Sequence, residues 1–348
     1  MHRNGLVMTL FCIALVATSF AACERNVTTV NETYTASACF DCHSDQNTEI
    51  VAAEGQWRYS VHASGRNTDR NYGSCAACHT NEGFVAKVEG TDPPPNLAAM
   101  PTMIHCFTCH APHTDGNLDL RLTDTQTIAD GTSFDMGSGN ICAACHQARR
   151  NVNTYVEQPT ELSGHWGPHY GPQTDMYWGS NGYEYAGYTY DRTKHPAILD
   201  DGCLDCHFKP LNPYMISGHS FNMEFVVDGD TLRSTNGCVG CHGELDDFNL
   251  NGVQDRVHVL MQSLENRLIA AGLIDSDGHP LDGVITSQDS AGAVWNYLIV
   301  EEDRSVGIHN AKYITDLLDS AIEFIKTGPP SSPPVAGETK PAEVSARN

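Results

Sequence analysis

The sequence predicts a mainly α-helical protein with little regular structure and a helical cap at its C-terminus. Residues up to about position 242 are rich in turn-forming residues and contain few long periodic runs, which predicts short helices joined by long loops. Beyond this point apolar residues recur at helical spacing, which predicts longer amphipathic helices. A third observation, one five-residue pattern present six times, indicates what holds the first region together.

The repeated pattern is Cys-x-x-Cys-His, which is the attachment motif of c-type haem and accounts for twelve of the chain's 14 cysteines. Two thiols three residues apart can form thioethers with the two vinyl groups of a porphyrin, while the adjacent imidazole reaches the iron. We therefore predict six covalent haem c groups and a haem-packed core. The motifs are formed by Cys39, Cys42 and His43; Cys75, Cys78 and His79; Cys106, Cys109 and His110; Cys142, Cys145 and His146; Cys203, Cys206 and His207; and Cys238, Cys241 and His242.

Zinc sites and disulfides are the alternative uses of paired cysteines. A zinc framework would not place His directly after the second Cys in all six cases. A disulfide framework runs out of thiols, because Cys12 lies inside the N-terminal apolar run and Cys23 ends it. Both alternatives are therefore disfavoured.

The N-terminus has the features of a secretory signal over residues 1–22: a positive end, an apolar stretch and small residues before Cys23. The phrase Thr18-Ser-Phe-Ala-Ala-Cys23 resembles the lipobox of bacterial lipoproteins, which implies that Cys23 becomes the lipidated first residue. Plain signal cleavage nearby is the alternative. We expect a cell-envelope lipoprotein at the outer membrane or extracellular face, with the periplasmic side as the alternative, held on the membrane by its lipid.

The chain divides on this basis into a signal peptide (1–22), a hexahaem cytochrome c domain (23–247), a C-terminal helical region (248–328) and a disordered tail (329–348). From the first to the last motif there is one haem per about 34 residues, so the macrocycles would supply most of the apolar core there. The aromatic stretch 165–190 is predicted to pack on haem faces. Three helices are predicted after the motifs, from about Val253, around Ser290 to Val300, and from about Asn310 to Thr327.

The second axial ligand decides what each iron can do, because each motif His supplies only one. After the motif histidines and His2 are set aside, ten remain, and this surplus favours bis-His iron. Position predicts that His165, His169, His195 and His219 are ligands, with hydrogen bonding to a propionate or the backbone as the alternative. Ligation by only one of His165 and His169 is left open. His105, His258 and His279 are predicted not to be ligands.

Three phrases of the sequence, which contain His62, His113 and His309, resemble those of the multihaem cytochrome c superfamily, which includes the pentahaem ammonia-forming nitrite reductases and octahaem relatives. The resemblance implies a multihaem cytochrome c fold and makes His62, His113 and His309 distal ligands of neighbouring haems. It departs at one point: the nitrite reductases use a Lys-ligated catalytic haem, and this sequence has no Cys-x-x-Cys-Lys. The matching phrases are Cys106-Phe-Thr-Cys109-His110-Ala-Pro-His113, Trp57-Arg-Tyr-Ser60-Val-His62-Ala63 and Ser305-Val-Gly307-Ile-His309-Asn310.

The segment from Asp247 to Asp255 begins like a calcium loop, but His258 stands where the bidentate acid is expected. An Asx-rich turn that caps the following helix is the preferred interpretation.

Charge and cofactors together predict an electron carrier. The formal net charge of −23 disfavours nucleic acid and anionic lipid surfaces, and favours a basic redox protein as partner. Other cytochromes, extracellular electron acceptors and self-assembly into a conduit or filament are further candidate partners. The alternative function is an enzyme, a reductase of nitrogen or sulfur oxyanions in which one haem keeps an open site. The surplus of histidines argues against it.

Overall fold

The computed structural model describes residues 42–44, 47–97, 99–157, 160–209, 215–285 and 287–327. The chain separates into two compact units, residues 1–51 and residues 52–348. The predicted signal peptide, Cys23, Cys39 and residues 328–348 lie outside the described residues. In the first unit, the Asn47 side chain accepts a hydrogen bond from the Ile50 backbone N–H (3.1 Å) and so caps the first described helix.

Short helices dominate the region that carries the motifs. Most have four to seven residues, which is enough to place two cysteines and a histidine on one turn. They are α1 (Thr48–Trp57), α2 (Ala76–His79), α3 (Asn81–Glu89), α4 (Cys106–Cys109), α5 (Pro112–Asp115), α6 (Asn140–Ala143), α7 (Val152–Tyr155), α8 (Gln173–Trp178), α9 (His195–Ile198), α10 (Cys203–His207) and α11 (Asn236–His242). Single 3₁₀ turns lie at His62–Ser64, Gly73–Cys75, Gly137–Gly139, Gly218–Ser220 and Leu250–Gly252.

Strands are few in the described residues and form three antiparallel pairs. The pairs are β1 (Gln126–Thr127) with β2 (Ser133–Phe134), β3 (Thr160–Leu162) with β6 (Gly283–Ile285), and β4 (Glu224–Val227) with β5 (Asp230–Arg233). In the β3–β6 pair, Thr160 lies opposite Ile285. This pairing ties the region of the motifs to the C-terminal region. The predicted fold class, mainly α with little regular structure, is confirmed.

Three long helices follow the last motif: α12 (Val253–Ala270), α13 (Gln288–Asp303) and α14 (Ala311–Thr327). They lie where the apolar periodicity predicts them, and α13 is longer at both ends. Buried residues of all three helices share one core, including Leu264, Trp295 and Leu317, each with no exposed surface. No helix in the part of the chain that the structure describes is long and apolar enough to cross a membrane.

Several aromatic side chains of the stretch 165–190 pack on the C-terminal helices. Trp295 of α13 meets Tyr155 and Trp166 edge-on, at ring-centroid distances of 5.8 and 5.9 Å. Tyr185 stacks on Phe324 of α14 at 4.9 Å. These contacts form because three amphipathic helices need a second apolar layer to cover them, and packing of the stretch on haem faces stays a prediction. The proposed boundary at residue 247 stays a prediction, since the two regions share this core.

Candidate haem sites

Five of the six motif histidines face a second histidine across a narrow space. In each pair the two ring centroids are between 6.1 and 6.5 Å apart, and the two residues come from distant parts of the sequence. The pairs are His79 with His169 (6.2 Å), His110 with His219 (6.5 Å), His146 with His62 (6.1 Å), His207 with His309 (6.3 Å) and His242 with His195 (6.1 Å).

This spacing fits two imidazoles on opposite sides of one iron. An imidazole nitrogen bonded to a transition metal lies about 2 Å from it, and the ring centre lies about 1 Å further. Two such ligands therefore have ring centres about 6 Å apart. Imidazole is also the usual proximal ligand of haem iron, so the donor set fits the group as well as the distance does.

The second histidine of most pairs is held in its neutral form, which is the form that binds a metal. Burial, followed by the like charge of nearby basic groups, lowers the pKa of His62 and of His169 to about 4. Burial also lowers the pKa of His195 and His219. At neutral pH these rings carry a free lone pair for iron.

Three motif histidines have their ring orientation set by an oxygen acceptor at Nδ1. His207 Nδ1 lies 2.9 Å from the Phe221 carbonyl, and His110 Nδ1 lies 3.3 Å from the Asp119 carbonyl. His146 Nδ1 lies 3.1 Å from Oε1 of Gln173. An oxygen acceptor requires the proton on Nδ1, which leaves Nε2 unprotonated and able to bind a metal ion.

Glycines let the second histidines of two pairs, His169 and His219, reach their positions. His169 has a φ of 77°, in the left-handed region, and lies between Gly167 (φ 139°) and Gly171 (φ 105°). His219 is in the 3₁₀ turn that begins at Gly218, where an added Cβ would lie 2.3 Å from the Gln56 side chain. The Gln56 side chain in turn accepts a hydrogen bond from the His219 N–H (2.9 Å). Because glycine permits these tight turns, the imidazoles of His169 and His219 lie close to haem motifs without being part of a long helix or strand.

Several motifs also touch one another. Cys78 Sγ lies 4.0 Å from the Ala144 carbonyl and Cys145 Sγ lies 3.9 Å from the Ala77 carbonyl, so the second and fourth motifs meet reciprocally. The side chains of Cys142 and Cys203 lie next to each other, which joins the fourth motif to the fifth.

The fifth and sixth motifs are equally close. A Cβ added to Gly237, just before Cys238, would lie 2.8 Å from the Asp205 carbonyl and 3.2 Å from the Cα of Cys206. Glycine is needed there because two motif backbones pass within contact distance. The third motif joins the group through Cys109, which packs in one apolar cluster with Cys142 and Cys145. The motifs of this unit thus form a connected series.

Known proteins resemble this chain over most of its length. No family model matches the chain. It is 23% identical to the C-type polyheme cytochrome OmcB from two strains of Geobacter sulfurreducens, over 372 residues that cover 84% of this chain and 48% of the relative. It is 22% identical to the C-type polyheme cytochrome OmcC of Geobacter sulfurreducens, over 74% of this chain and 43% of the relative. This chain is a multihaem c-type cytochrome.

The cytochrome spans about half the length of the curated relatives that it matches. An undecaheme cytochrome from the S-layer of Carboxydothermus ferrireducens shares 17% sequence identity with it, at a TM-score of 0.43, over 78% of this chain and 41% of that one.

The remaining predicted site residues are not part of the five pairs. His43 and Cys42 belong to the first unit, and Cys39 and Cys23 lie outside the described residues. His113 is on α5, with its ring 5.5 Å from that of Phe107, and His165 is exposed. Neither of these two is in the five pairs, and the second ligand of the first haem stays a prediction.

The three histidines predicted not to be ligands have other surroundings. His105 Nδ1 accepts a hydrogen bond from the Phe107 N–H (3.2 Å) and caps α4. His258 is exposed on α12, and His279 lies 3.7 Å from Asp275. The candidate calcium segment contains an Asx turn, in which the Asp247 side chain accepts from the Asn249 N–H (2.9 Å). The Asn249 side chain accepts from the Gln254 N–H (3.0 Å) at the start of α12.

Sequence reasoning missed two residues of the sites. Gln173 orients His146, and nothing in the sequence around it signals this role. The carboxylate of Asp303 lies 2.6 Å from Nδ1 of His309. Burial opposes the protonation of His309, but the charge of Asp303 and its hydrogen bond outweigh burial, so the pKa of His309 is raised. An acid six residues before a predicted ligand is the signal that could have indicated it.

Proposed function

We propose that this cytochrome transfers electrons through six covalently bound haem c groups outside the cytoplasm. The observation that carries the proposal is the set of five histidine pairs with ring centroids 6.1–6.5 Å apart. Two protein ligands on one iron leave no position for a substrate. When bound, haem supplies the one-electron chemistry. The protein contributes the axial ligands, the spacing and the shielding.

The contacts between motifs support transfer along a series. The second motif touches the fourth, the fourth touches the fifth, and the fifth touches the sixth, with the third beside the fourth. Thioether carbons belong to the porphyrin edge, so cysteines in contact bring haem edges close together. We infer the order second, fourth, fifth and sixth, with the third as a branch. Both ends of the series then offer an entry or exit point for electrons.

The cell envelope is the proposed location. The features that support it are the signal-like residues 1–22 and the lipobox-like phrase that ends at Cys23. A net charge of −23, made more negative by haem propionates, favours basic redox partners over nucleic acid. Other cytochromes and extracellular acceptors are the partners that we propose, and self-assembly is compatible with them.

Haem count and spin state test the proposal together. Intact mass of the extracted full-length protein should include six haem increments, and low-temperature electron paramagnetic resonance should show only low-spin iron. Changing Cys78 to Ala should weaken attachment of the second haem without affecting the other five. A high-spin iron in the wild-type protein that binds nitrite or hydroxylamine would replace the carrier by a reductase. An intact mass with four or fewer haem increments would contradict the proposed series of haems.

A further inference from the structure

We infer that Asp303 is a positioning residue that orients His309 towards iron and gives the haem of the fifth motif the lowest reduction potential among the five histidine pairs. The inference rests on the proposed bis-His ligation of that haem by His207 and His309. It concerns how the chain tunes one haem of the series, which the ligand set alone does not decide.

The carboxylate of Asp303 is held in place by His309 and Ser305. Oδ1 of Asp303 lies 2.6 Å from His309 Nδ1, and its side chain is 1% exposed. The Ser305 hydroxyl donates to Oδ2 of the same carboxylate and also accepts from the His309 N–H (3.2 Å). Both oxygens of Asp303 are therefore engaged, and the imidazole is held at its ring and at its backbone. With Nδ1 facing the acid, Nε2 is the nitrogen that faces His207.

The position of Asp303 in the fold is unfavourable for an acidic side chain, which argues against a purely structural role. Asp303 ends α13, and the C-terminus of a helix disfavours negative charge. Burying a carboxylate is also costly unless it is paired. Arg304 is adjacent in sequence, but its guanidinium points to Glu302 (3.4 Å) and is 73% exposed. The only charged partner that the described contacts give Asp303 is His309.

The other oriented histidines have neutral acceptors. His207, the second ligand of the same haem, uses a backbone carbonyl, and His146 uses the Gln173 amide oxygen. A carboxylate draws the Nδ1 proton more strongly than a carbonyl does and so makes Nε2 a stronger donor. A stronger donor stabilises ferric iron, and a buried negative charge nearby acts in the same direction. Both effects lower the potential of this haem relative to the others.

Gln173 fixes the segment that carries Asp303. Its Nε2 donates to the carbonyls of Glu302 and Asp303, both at 3.2 Å, while its Oε1 contacts His146 Nδ1. One side chain thus satisfies two carbonyls at the end of α13 and orients the motif ligand of the fourth haem. The fourth and fifth haem sites are therefore joined by a continuous set of hydrogen bonds through Gln173 and Asp303.

The test is a spectroscopically monitored redox titration of the full-length holoprotein carrying Asp303→Asn. The amide keeps the shape and removes the charge. We expect six haems, as in the wild type, and an upward shift of the lowest potential, or conversion of the same haem to high spin if His309 is released. Ser305→Ala should shift that potential in the same direction by less, and this second variant serves if Asp303→Asn does not fold.

The matched control is Asp289→Asn. Asp289 also accepts a short hydrogen bond from a partly buried donor, the Tyr183 hydroxyl (2.6 Å), but no histidine is hydrogen-bonded to it in the described contacts. The Asp289→Asn variant should leave every haem reduction potential unchanged. If Asp303→Asn leaves all potentials and all spin states unchanged, the inference is overturned while the electron-transfer function stands. A wild-type protein with a high-spin haem in the fifth motif would instead contradict the proposed function.

Discussion

The ring of His169 lies 6.2 Å from the ring of His79, centroid to centroid, with the two planes at 77° to each other. To reach this position His169 takes a φ of 77°, which a residue with a Cβ rarely adopts and which costs about 1–2 kcal/mol. Such strain persists where the surrounding structure requires it, often at a functional position. A ligand to the second haem is a role that would account for it.

Replacing His169 by Gly should therefore convert one haem to high spin and leave six haems attached, because Cys75 and Cys78 form the thioethers. Glycine adopts the positive φ without strain, so the loss reports the imidazole rather than the backbone. Electron paramagnetic resonance and intact mass measure the two outcomes. His258→Gly removes an exposed helical histidine and should leave every iron low-spin. If the His169→Gly variant still has six low-spin haems, His169 is not an axial ligand of the second haem.

Trp295 should be a main contributor to the stability of the cap. Its side chain is fully buried, and its indole N–H donates to the Asn181 carbonyl at 2.8 Å. Trp295→Ala should lower the free energy of unfolding by about 3–5 kcal/mol, since it leaves a large cavity. Trp295→Phe retains most of the volume and should cost less. Denaturant unfolding followed by far-ultraviolet circular dichroism measures both, and equal costs would show that the hydrogen bond, rather than packing, dominates.

Asp175 should make stability depend on pH. Burial raises its pKa to about 7, against the hydrogen bonds from the Ala148 N–H (2.7 Å) and the Asn181 amide (2.9 Å). Because the folded pKa is above the unfolded value of 3.8, the folded state binds more protons between these two values. The contribution is fully present below pH 4 and is lost as the pH rises through 7.

The slope contributed by this one group is at most about 1.4 kcal/mol per pH unit. Measured as the difference in unfolding free energy between the wild type and Asp175→Asn across this pH range, stability of the wild type should fall relative to the variant as the pH rises. A difference that is constant with pH would mean that Asp175 is ionised in the folded protein throughout the range.

Cys23 should decide membrane attachment, because the residues before it end a short apolar segment with two alanines. Cys23→Ser should move the protein from the membrane fraction to the soluble fraction of cells while haem attachment stays complete. Cys12→Ser, inside the apolar stretch, is the control and should change neither. Membrane association that survives the change at Cys23 would show that the lipoprotein prediction is wrong.

The sequence alone determined the chemistry that is local along the chain. Each haem motif is complete within five consecutive residues, because both thiols and the imidazole must lie on one helical turn. The three C-terminal helices were equally predictable, since residues such as Val257, Leu264 and Leu268 recur at helical spacing and are buried as that spacing implies. The sequence also shows, without a structure, that no Cys-x-x-Cys-Lys motif is present, and this argues against a nitrite-reductase-like catalytic haem.

The tertiary structure decided which distant residues meet. That His62 faces His146, and that His195 faces His242, depends on how loops close between them, and sequence spacing does not encode loop closure. The contact between Asp303 and His309 depends on how α13 ends, and the role of Gln173 depends on α8 packing beside it. Short helices and glycine turns carry little periodic signal, so the partners of each imidazole follow from packing of the whole unit rather than from any local pattern.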